Sequence, residues 1–237
     1  MRKINMKSKR IAQIIIVIIL LCFFIVGCSI KIYHNNEQEE RKQEMNTLIE
    51  SYATYNNIER EGEPGNYFQS VNLSDNGWVK HITATEAAQL DSGIVFFGYP
   101  TCPWCRNALP IVLDTVNASK QPLLYCRLDL YRDEYKVTED NQLELVTPAG
   151  EGYNELLEAL DSYLDEYTFV GKNGEVLSTG EKRVYAPTVV VYENGMITGF
   201  WDLSIAGLEL NDGQTKYDSW TDEQIELVKS SLIKIMS

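Results

Sequence analysis

The sequence predicts an α/β fold whose central sheet mixes parallel and antiparallel strands. Two apolar runs, "GIVFFGY" from Gly93 and "PLLYCRLDLY" from Pro122, have the length and composition of strands buried on both faces. Between them, "CRNALPIVLDTVNAS" carries apolar residues at helical spacing, so the order is strand, helix, strand, with the strands parallel. Farther along, "APTVVVYENGMITGFW" predicts two antiparallel strands joined by an Asn-Gly turn.

Shorter signals predict further elements around that core. "WVKHI" is a short strand, and Thr83 with Glu86 forms a T-x-x-E capping box at the start of a helix. "GYNELLEALDSYL" predicts a helix, and "YTFVGKNGEVLSTG" predicts a hairpin that turns at Asn173–Gly174. "SWTDEQIELVKSSLIKIM" predicts another helix, capped by Thr221 or Asp222. These helices would flank the sheet.

Residues 1–30 predict a membrane anchor. The basic patch "MRKINMKSKR" precedes an apolar run, and basic residues there hold that end in the cytoplasm, so the following chain faces outward. "IVGC", which ends at Cys28, resembles a bacterial lipobox, in which the signal peptide is removed and the cysteine is lipidated. The alternative is an uncleaved membrane helix from Ile11 to about Ile30. Both predict an extracytoplasmic domain tethered to a membrane.

Charge is distributed unevenly along the chain. Residues 1–28 hold five Lys or Arg and no acid, which leaves 16 of the 21 basic residues against 34 acidic ones, a net charge of −18. A surface of that sign repels nucleic acid and anionic headgroups. We therefore expect no nucleic-acid partner.

The remaining chain divides into a spacer and a folded domain. Residues 31–75 are largely polar and predict a helical spacer that lifts the domain off the membrane, with a partner-binding helix as the alternative. The apolar residues that recur there at helical spacing are Met45, Leu48, Ile49 and Tyr52. Residues 76–237 form the predicted domain, with a long insertion at about 132–183 before the strand that contains Pro187.

The soluble part contains three cysteines, which predict one pair and one single thiol. Cys102 and Cys105 enclose only Pro103 and Trp104. A structural disulfide between them would close too small a loop to restrict the chain much. A zinc site needs about four ligands, and the chain has two histidines. The third reading is a reactive dithiol, and Cys126 is then a buried core thiol.

Dithiol chemistry explains the position of the pair between a strand and a helix. A thiolate attacks a disulfide, whereas a thiol does not. Cys102, at the first turn of a helix, faces unpaired N–H groups and the positive end of the helix dipole, which favour the anion. Cys105 lies one turn farther on, close enough to resolve a mixed disulfide by attacking Cys102.

On these residues, the sequence resembles the thioredoxin superfamily from about Trp78 onward. A buried strand leads into Cys102-Pro103-Trp104-Cys105, and Pro110 follows where family members carry a helix-kinking proline. Arg127 lies in the next strand at the place of a basic residue. "APTVVVYENG" resembles the strand and hairpin of the family's cis-proline, with Pro187 as that residue. The resemblance implies a thioredoxin-like fold.

The resemblance also implies a set of site residues. The implied residues are Cys102 as nucleophile and Cys105 as resolving thiol, Trp104, Ala186, Pro187 and Thr188 as substrate-binding residues, and Pro103 and Arg127 as residues that tune the dithiol. It implies no metal, and a redox-active Cys102–Cys105 disulfide in place of a cofactor. Arg106 would add positive potential beside the thiolate, unless it is only solvated. For Pro187 the alternative is a strand-edge proline, and for Trp104 a plain surface aromatic.

The expected function is that of a membrane-anchored extracytoplasmic thiol–disulfide oxidoreductase. Its partners would be disulfide-containing proteins or peptides and a membrane redox partner or export machinery, as for related lipoproteins in oxidative folding, cytochrome maturation or bacteriocin export. Two departures from the family, Phe96 at the position of a buried acid and Thr101 in place of tryptophan, leave the direction of electron flow open. The alternatives are a non-catalytic accessory protein and a copper metallochaperone.

Overall fold

The computed structural model describes residues 32–33, 35–75 and 77–237. The chain divides into two units, residues 1–43 and residues 44–237. In the first unit the described residues are helical. The predicted signal peptide or membrane anchor over residues 1–30 and the predicted lipidation of Cys28 lie outside the described residues. No helix within the described ranges combines the length and the apolar character needed to cross a membrane.

The second unit is built from helices and strands in alternation. Helical residues 44–53 open it and are called α1. The other helices are α2 (Ala84–Ala88), α3 (Pro103–Ala118), α4 (Tyr153–Leu160), α5 (Leu203–Ala206) and α6 (Asp222–Ile235). The strands are β1 (Val79–Ile82), β2 (Gly93–Gly98), β3 (Leu123–Arg127), β4 (Glu134–Val137), β5 (Leu143–Thr147), β6 (Glu166–Val170), β7 (Val176–Lys182), β8 (Thr188–Glu193) and β9 (Met196–Trp201).

The central sheet contains five strands in the order β1-β3-β2-β8-β9. Strand β3 pairs in parallel with β1 and β2, whereas β8 pairs antiparallel with both β2 and β9. The turn between β8 and β9 places Asn194 and Gly195 at φ values of 53° and 72°, a region that these two residue types adopt at little cost. The predicted α/β class with a mixed sheet flanked by helices is therefore confirmed.

Alternating side chains give this sheet a separate core on each face. Phe96 and Tyr125 point to the face covered by α1, α3 and α6. Val95, Phe97 and Cys126 point to the opposite face, which is covered by α2 and α4. Both faces of β2 and β3 are thus buried, which explains why these strands are continuously apolar in sequence. The result is a three-layer domain with helices on both sides of the sheet.

The helix starts that local sequence signals predicted are confirmed. Thr83 and Glu86 form a complete capping box at α2, because each side chain accepts a hydrogen bond from the other residue's backbone N–H. Thr221, rather than Asp222, caps α6 in the same way. These caps satisfy backbone N–H groups that a helix end leaves without partners.

The insertion folds into one helix and two small antiparallel sheets, β4–β5 and β6–β7. The helix α4 and the hairpin that turns at Asn173–Gly174 match the prediction, and β4–β5 had no clear signal in the sequence. Helix α4 packs against α2 through Gly152, which has a φ of 80°. A Cβ atom there would lie 2.2 Å from Thr85 Oγ1, so only glycine permits this approach.

The predicted spacer over residues 31–75 needs a correction from Glu44 onward. Met45, Leu48 and Tyr52 on α1 are 1%, 0% and 0% exposed and belong to the same core as α3. The apolar face that the helical spacing predicted therefore packs against the domain itself. Burial of each such side chain is worth roughly 1.5–3 kcal/mol, so this segment is part of the fold. The domain begins at Glu44 and not at residue 76.

Candidate dithiol site

Cys102 occupies the N-cap position of α3, four residues after strand β2 ends at Gly98. Its backbone N–H donates to the Tyr99 carbonyl oxygen at 3.2 Å, and Pro103 fills the first helical position. Its Sγ accepts a hydrogen bond from the Cys105 backbone N–H at 3.1 Å. A hydrogen bond from an amide and the positive end of a 16-residue helix both favour negative charge on the sulfur. The predicted position at a strand-to-helix junction is thus confirmed.

Cys105 lies one turn into the helix and is completely buried. Burial raises the pKa of its thiol well above the ordinary value, and the hydrogen bond with Cys102 and the charge of that residue raise it further. The Tyr99 backbone N–H and the Arg132 guanidinium act in the opposite direction. Both cysteines are free thiols in the structure, so it shows the reduced form of the pair. The two sulfurs have unequal environments, as a nucleophile and its resolving partner require.

The start of β8 lies against this pair of cysteines. The Ala186–Pro187 bond is cis, as the prediction for Pro187 requires. The Cys102 thiol donates to the Ala186 carbonyl oxygen across 3.5 Å. Thr188 is buried, and its hydroxyl donates to the Tyr185 carbonyl oxygen. The structure therefore brings Cys102 together with the predicted substrate-binding strand, although the two are far apart in sequence.

Trp104 and Pro103 lie beside the pair and are only half-buried. Trp104 packs against the core that contains both cysteines. The sequence predicts an exposed indole beside the dithiol, and the partial packing of Trp104 reflects the large apolar area that an indole removes from water.

Arg127 is engaged elsewhere by an acidic side chain. Its Nε lies 3.0 Å from Asp129 Oδ1, and its Nη2 lies 3.0 Å from Asp129 Oδ2. The side chain is 38% exposed. The Arg132 guanidinium, which no sequence pattern singled out, acts to lower the pKa of the Cys105 thiol. Arg127 is thus positioned by a carboxylate, and Arg132 is the additional site residue.

Arg106 is buried, so the interpretation that it is only solvated is wrong. It is 1% exposed, and four of its N–H groups reach acceptors in the chain. The acceptors are the carbonyl oxygens of Gln69 (2.6 Å), Tyr52 (3.2 Å) and Pro100 (2.8 Å), and Asn56 Oδ1. These bonds tie the segment after α1 to the loop that precedes Cys102. One side chain can make all of these bonds because a guanidinium supplies several donors at once.

Arg60 also joins the segment after α1 to the loop that precedes Cys102. Its Nη1 donates to the Thr101 carbonyl oxygen at 3.1 Å, one residue before the nucleophile. Its guanidinium lies 4.4 Å from the centre of the Phe68 ring and 4.8 Å from that of Tyr217. Sequence patterns give no sign of this role, because the contacting residues come from distant parts of the chain.

We expect the Cys126 thiol to be unreactive in the folded protein. It is buried on the opposite sheet face, and burial raises the pKa of its thiol to about 12. On the order of one such thiol in 10,000 is ionised at pH 8, and the thiolate is the reactive form. Mass spectrometry after iodoacetamide treatment at pH 8 should find Cys126 unmodified until urea unfolds the chain. Rapid modification of the native protein at Cys126 would contradict this assignment.

The comparisons with known proteins add no further identification. Neither a family model, nor a curated protein, nor a solved structure matches this chain. Within the described residues, no group of three or more His, Cys, Asp or Glu side chains is arranged to hold a metal ion. The chemistry of the site therefore rests on its own geometry.

Proposed function

We propose that the chain is a thiol–disulfide oxidoreductase with a thioredoxin-like fold that acts through Cys102 and Cys105. One observation carries the proposal. The Cys102 sulfur caps a helix, accepts the Cys105 amide and lies 3.5 Å from the Ala186 carbonyl oxygen beside the cis proline. This arrangement combines a sulfur in a setting that favours the anion with a backbone strand that can pair with an extended peptide.

The reaction begins when the Cys102 thiolate attacks one sulfur of a substrate disulfide. The bond between the substrate sulfurs breaks, the second sulfur leaves as a thiolate, and a mixed disulfide forms. Cys105 then loses its proton and attacks Cys102 Sγ, which releases the second substrate thiol and leaves a Cys102–Cys105 disulfide. Two electrons pass from the protein dithiol to the substrate. Substrate oxidation is the same sequence in reverse, and a dithiol or disulfide partner restores the starting state.

The direction of electron flow depends on the reduction potential of the pair. Phe96 occupies the position where reducing members of the family carry a buried acid, and it is fully buried and stacked 6.1 Å from the Tyr125 ring. That position therefore offers no carboxylate to accept the Cys105 proton. Equilibration of the pair with glutathione redox buffers measures the potential and assigns the direction.

The proposal includes an extracytoplasmic location at a bacterial membrane. It rests on the basic and apolar pattern of residues 1–30 and on Cys28 within "IVGC". Outside the cytoplasm a disulfide persists, so a redox-active pair there has oxidised substrates to act on. The partners proposed on this basis are disulfide-containing proteins or peptides, together with a membrane redox protein or an export system.

Turnover assays with a cysteine variant test the proposed function. We expect the wild-type protein to reduce insulin or to oxidise a reduced peptide, and we expect Cys102→Ser to lose at least ~99% of that rate because serine cannot form a disulfide. Cys126→Ser is the matched control and should keep the wild-type rate, since Cys126 lies on the other sheet face. The proposal fails if the wild-type protein catalyses neither reaction.

A non-catalytic accessory role is the second candidate, and two observations favour it. Cys102 is only 2% exposed, so a substrate reaches its sulfur only after the surroundings move. The insertion also contains a groove of about 720 Å³ between α4, Asp133, Leu145 and Glu181. A groove of this size suits a bound partner segment. Binding of a partner that persists in the Cys102→Ser variant, with no turnover by the wild type, would favour this role.

A further inference from the structure

Arg132 has an unusual set of partners for a half-buried arginine. Its Nη2 donates to the Tyr99 hydroxyl oxygen at 2.9 Å, and its guanidinium carbon lies 4.4 Å from the centre of the Tyr99 ring. Its Nε is buried and has no hydrogen-bond partner among the described residues. In the same part of the chain, no carboxylate oxygen lies within ion-pair distance of it. The Arg132 guanidinium is therefore bound by the neutral phenol of Tyr99 and not by a carboxylate.

Three other arginines of the domain are each held by a carboxylate, whereas the buried Arg106 has none among the residues that the structure describes and instead donates to four oxygen atoms. Arg60 pairs with Glu63 at 3.0 Å, Arg127 with Asp129 at 3.0 Å, and Arg183 with Asp133 at 3.6 Å. A cation removed from water without an opposite charge is destabilising. Within the described ranges, Arg132 has neither a carboxylate nor a full set of oxygen acceptors, because its Nε is unused, and this leaves its charge available to an anion that arises during function.

The dithiol is where such an anion forms. Tyr99, which holds Arg132, also contacts both cysteines through its backbone. Its carbonyl oxygen accepts the Cys102 N–H at 3.2 Å, and its own N–H acts to lower the pKa of the Cys105 thiol. The Arg132 guanidinium interacts electrostatically with both sulfurs. Arg132 belongs to the insertion, whereas Tyr99 follows β2, so this contact joins the insertion to the dithiol loop.

We propose that Arg132, positioned by Tyr99, is the counter-charge of the Cys102 thiolate, so that the insertion sets the reactivity of the dithiol. This inference rests on the proposed function. Tyr99 is the positioning residue in this account, and Arg132 stabilises the reacting sulfur through its charge. Removal of Arg132 should make the Cys102 thiol harder to ionise, because a nearby cation favours the ionised form of a thiol.

The other titratable groups around the sulfurs do not supply that charge. They are phenols: Tyr52 from α1, Tyr125 from β3, and Tyr99 itself. Burial raises the pKa of all three, to about 12 for Tyr99, so they stay neutral at physiological pH. The acids nearest Arg132 are Asp133, which pairs with Arg183, and the exposed Glu134. These carboxylates weaken the positive potential of Arg132, and Arg132 stays the cation at the dithiol.

The rate of alkylation of Cys102 as a function of pH tests this inference. We expect Arg132→Met to move the midpoint of the profile upward by about one pH unit and to lower the alkylation rate at neutral pH about tenfold. Lys136→Met is the matched control: it removes a cation of the same insertion that is exposed and pairs with Glu144 at 3.2 Å. It should leave the profile in place. Arg127→Met should shift the midpoint less than Arg132→Met does.

Two conservative variants keep the test decisive if Arg132→Met fails to fold. Arg132→Lys keeps a cation and should restore most of the wild-type midpoint, whereas Tyr99→Phe removes only the hydroxyl that positions Arg132 and should shift the midpoint part of the way. An unshifted profile in Arg132→Met, or equal shifts in Arg132→Met and Lys136→Met, would overturn the inference while leaving the turnover of the wild type intact. Absence of turnover by the wild type would instead remove the proposed function.

Discussion

Replacing Cys105 with alanine is expected to convert the protein into a covalent trap for its substrate. Cys102 keeps its place at the start of α3 and still attacks a disulfide, but the thiol that resolves the mixed disulfide is gone. An intramolecular attack has an effective concentration far above that of any thiol in solution, so release should slow by at least ~100-fold. Non-reducing gel electrophoresis with a disulfide-containing peptide should show complexes that disappear on addition of dithiothreitol.

The attachment point of the trapped substrate distinguishes this account from adventitious crosslinking. Mass spectrometry should place the substrate on Cys102 alone, because Cys126 lies buried on the opposite face of the sheet. The double variant Cys102→Ser, Cys105→Ala should trap nothing. Complexes that form through Cys126, or release at the wild-type rate from the Cys105→Ala variant, would contradict the assigned roles.

Replacing Arg106 with methionine is expected to lower the free energy of unfolding by about 3–5 kcal/mol, because each buried oxygen acceptor that loses its donor costs about 1–3 kcal/mol. Methionine fills much of the space but donates no hydrogen bond. The carbonyl oxygens of Tyr52, Gln69 and Pro100 would lose the donors that Arg106 supplies. Urea denaturation of the domain, starting ahead of Glu44, measures the effect through the midpoint of unfolding.

Arg127→Met is the matched control for stability. Arg127 makes a pair with Asp129 that is 38% and 24% exposed, and exposed ion pairs are worth about 0–1 kcal/mol. The two variants lose the same charge and gain the same side chain, so the difference between them reports burial. Equal midpoints for Arg106→Met and Arg127→Met would show that the buried contacts contribute nothing beyond the charge.

The parts of the fold that the sequence predicts well are those that local chemistry specifies. Strands β2 and β3 are apolar throughout because the sheet buries both of their faces. Thr83 and Thr221 mark helix starts, because a capping residue acts within one helical turn. The Asn194–Gly195 turn is similar, since its backbone angles select the residue types. The dithiol position follows from the same signals.

The features that the sequence leaves open depend on which segments meet in space. The periodicity of α1 predicts an apolar face, but nothing in it identifies the core of the domain as its partner. Arg106 looks like a solvated residue because its acceptors lie six to 54 residues away. Arg132 lies in an insertion whose folding has no strong periodic signal, so its contact with Tyr99 emerges only from the structure. Tertiary contacts, not propensities, decide these residues.

The hydrogen bonds by which Arg60 and Arg106 join distant segments also have a consequence for how the domain assembles. Arg60 packs on the Tyr217 ring, and Tyr217 donates to Glu63 across a sequence separation of 154 residues. Contacts between such distant segments form slowly, because a long stretch of chain must close before any stabilisation is gained. During synthesis, the loop that contains Cys102 therefore exists for a time before Arg60 and Tyr217 are in place beside it. Foldases or oxidants that meet the nascent polypeptide would encounter more accessible sulfurs than those of the finished protein.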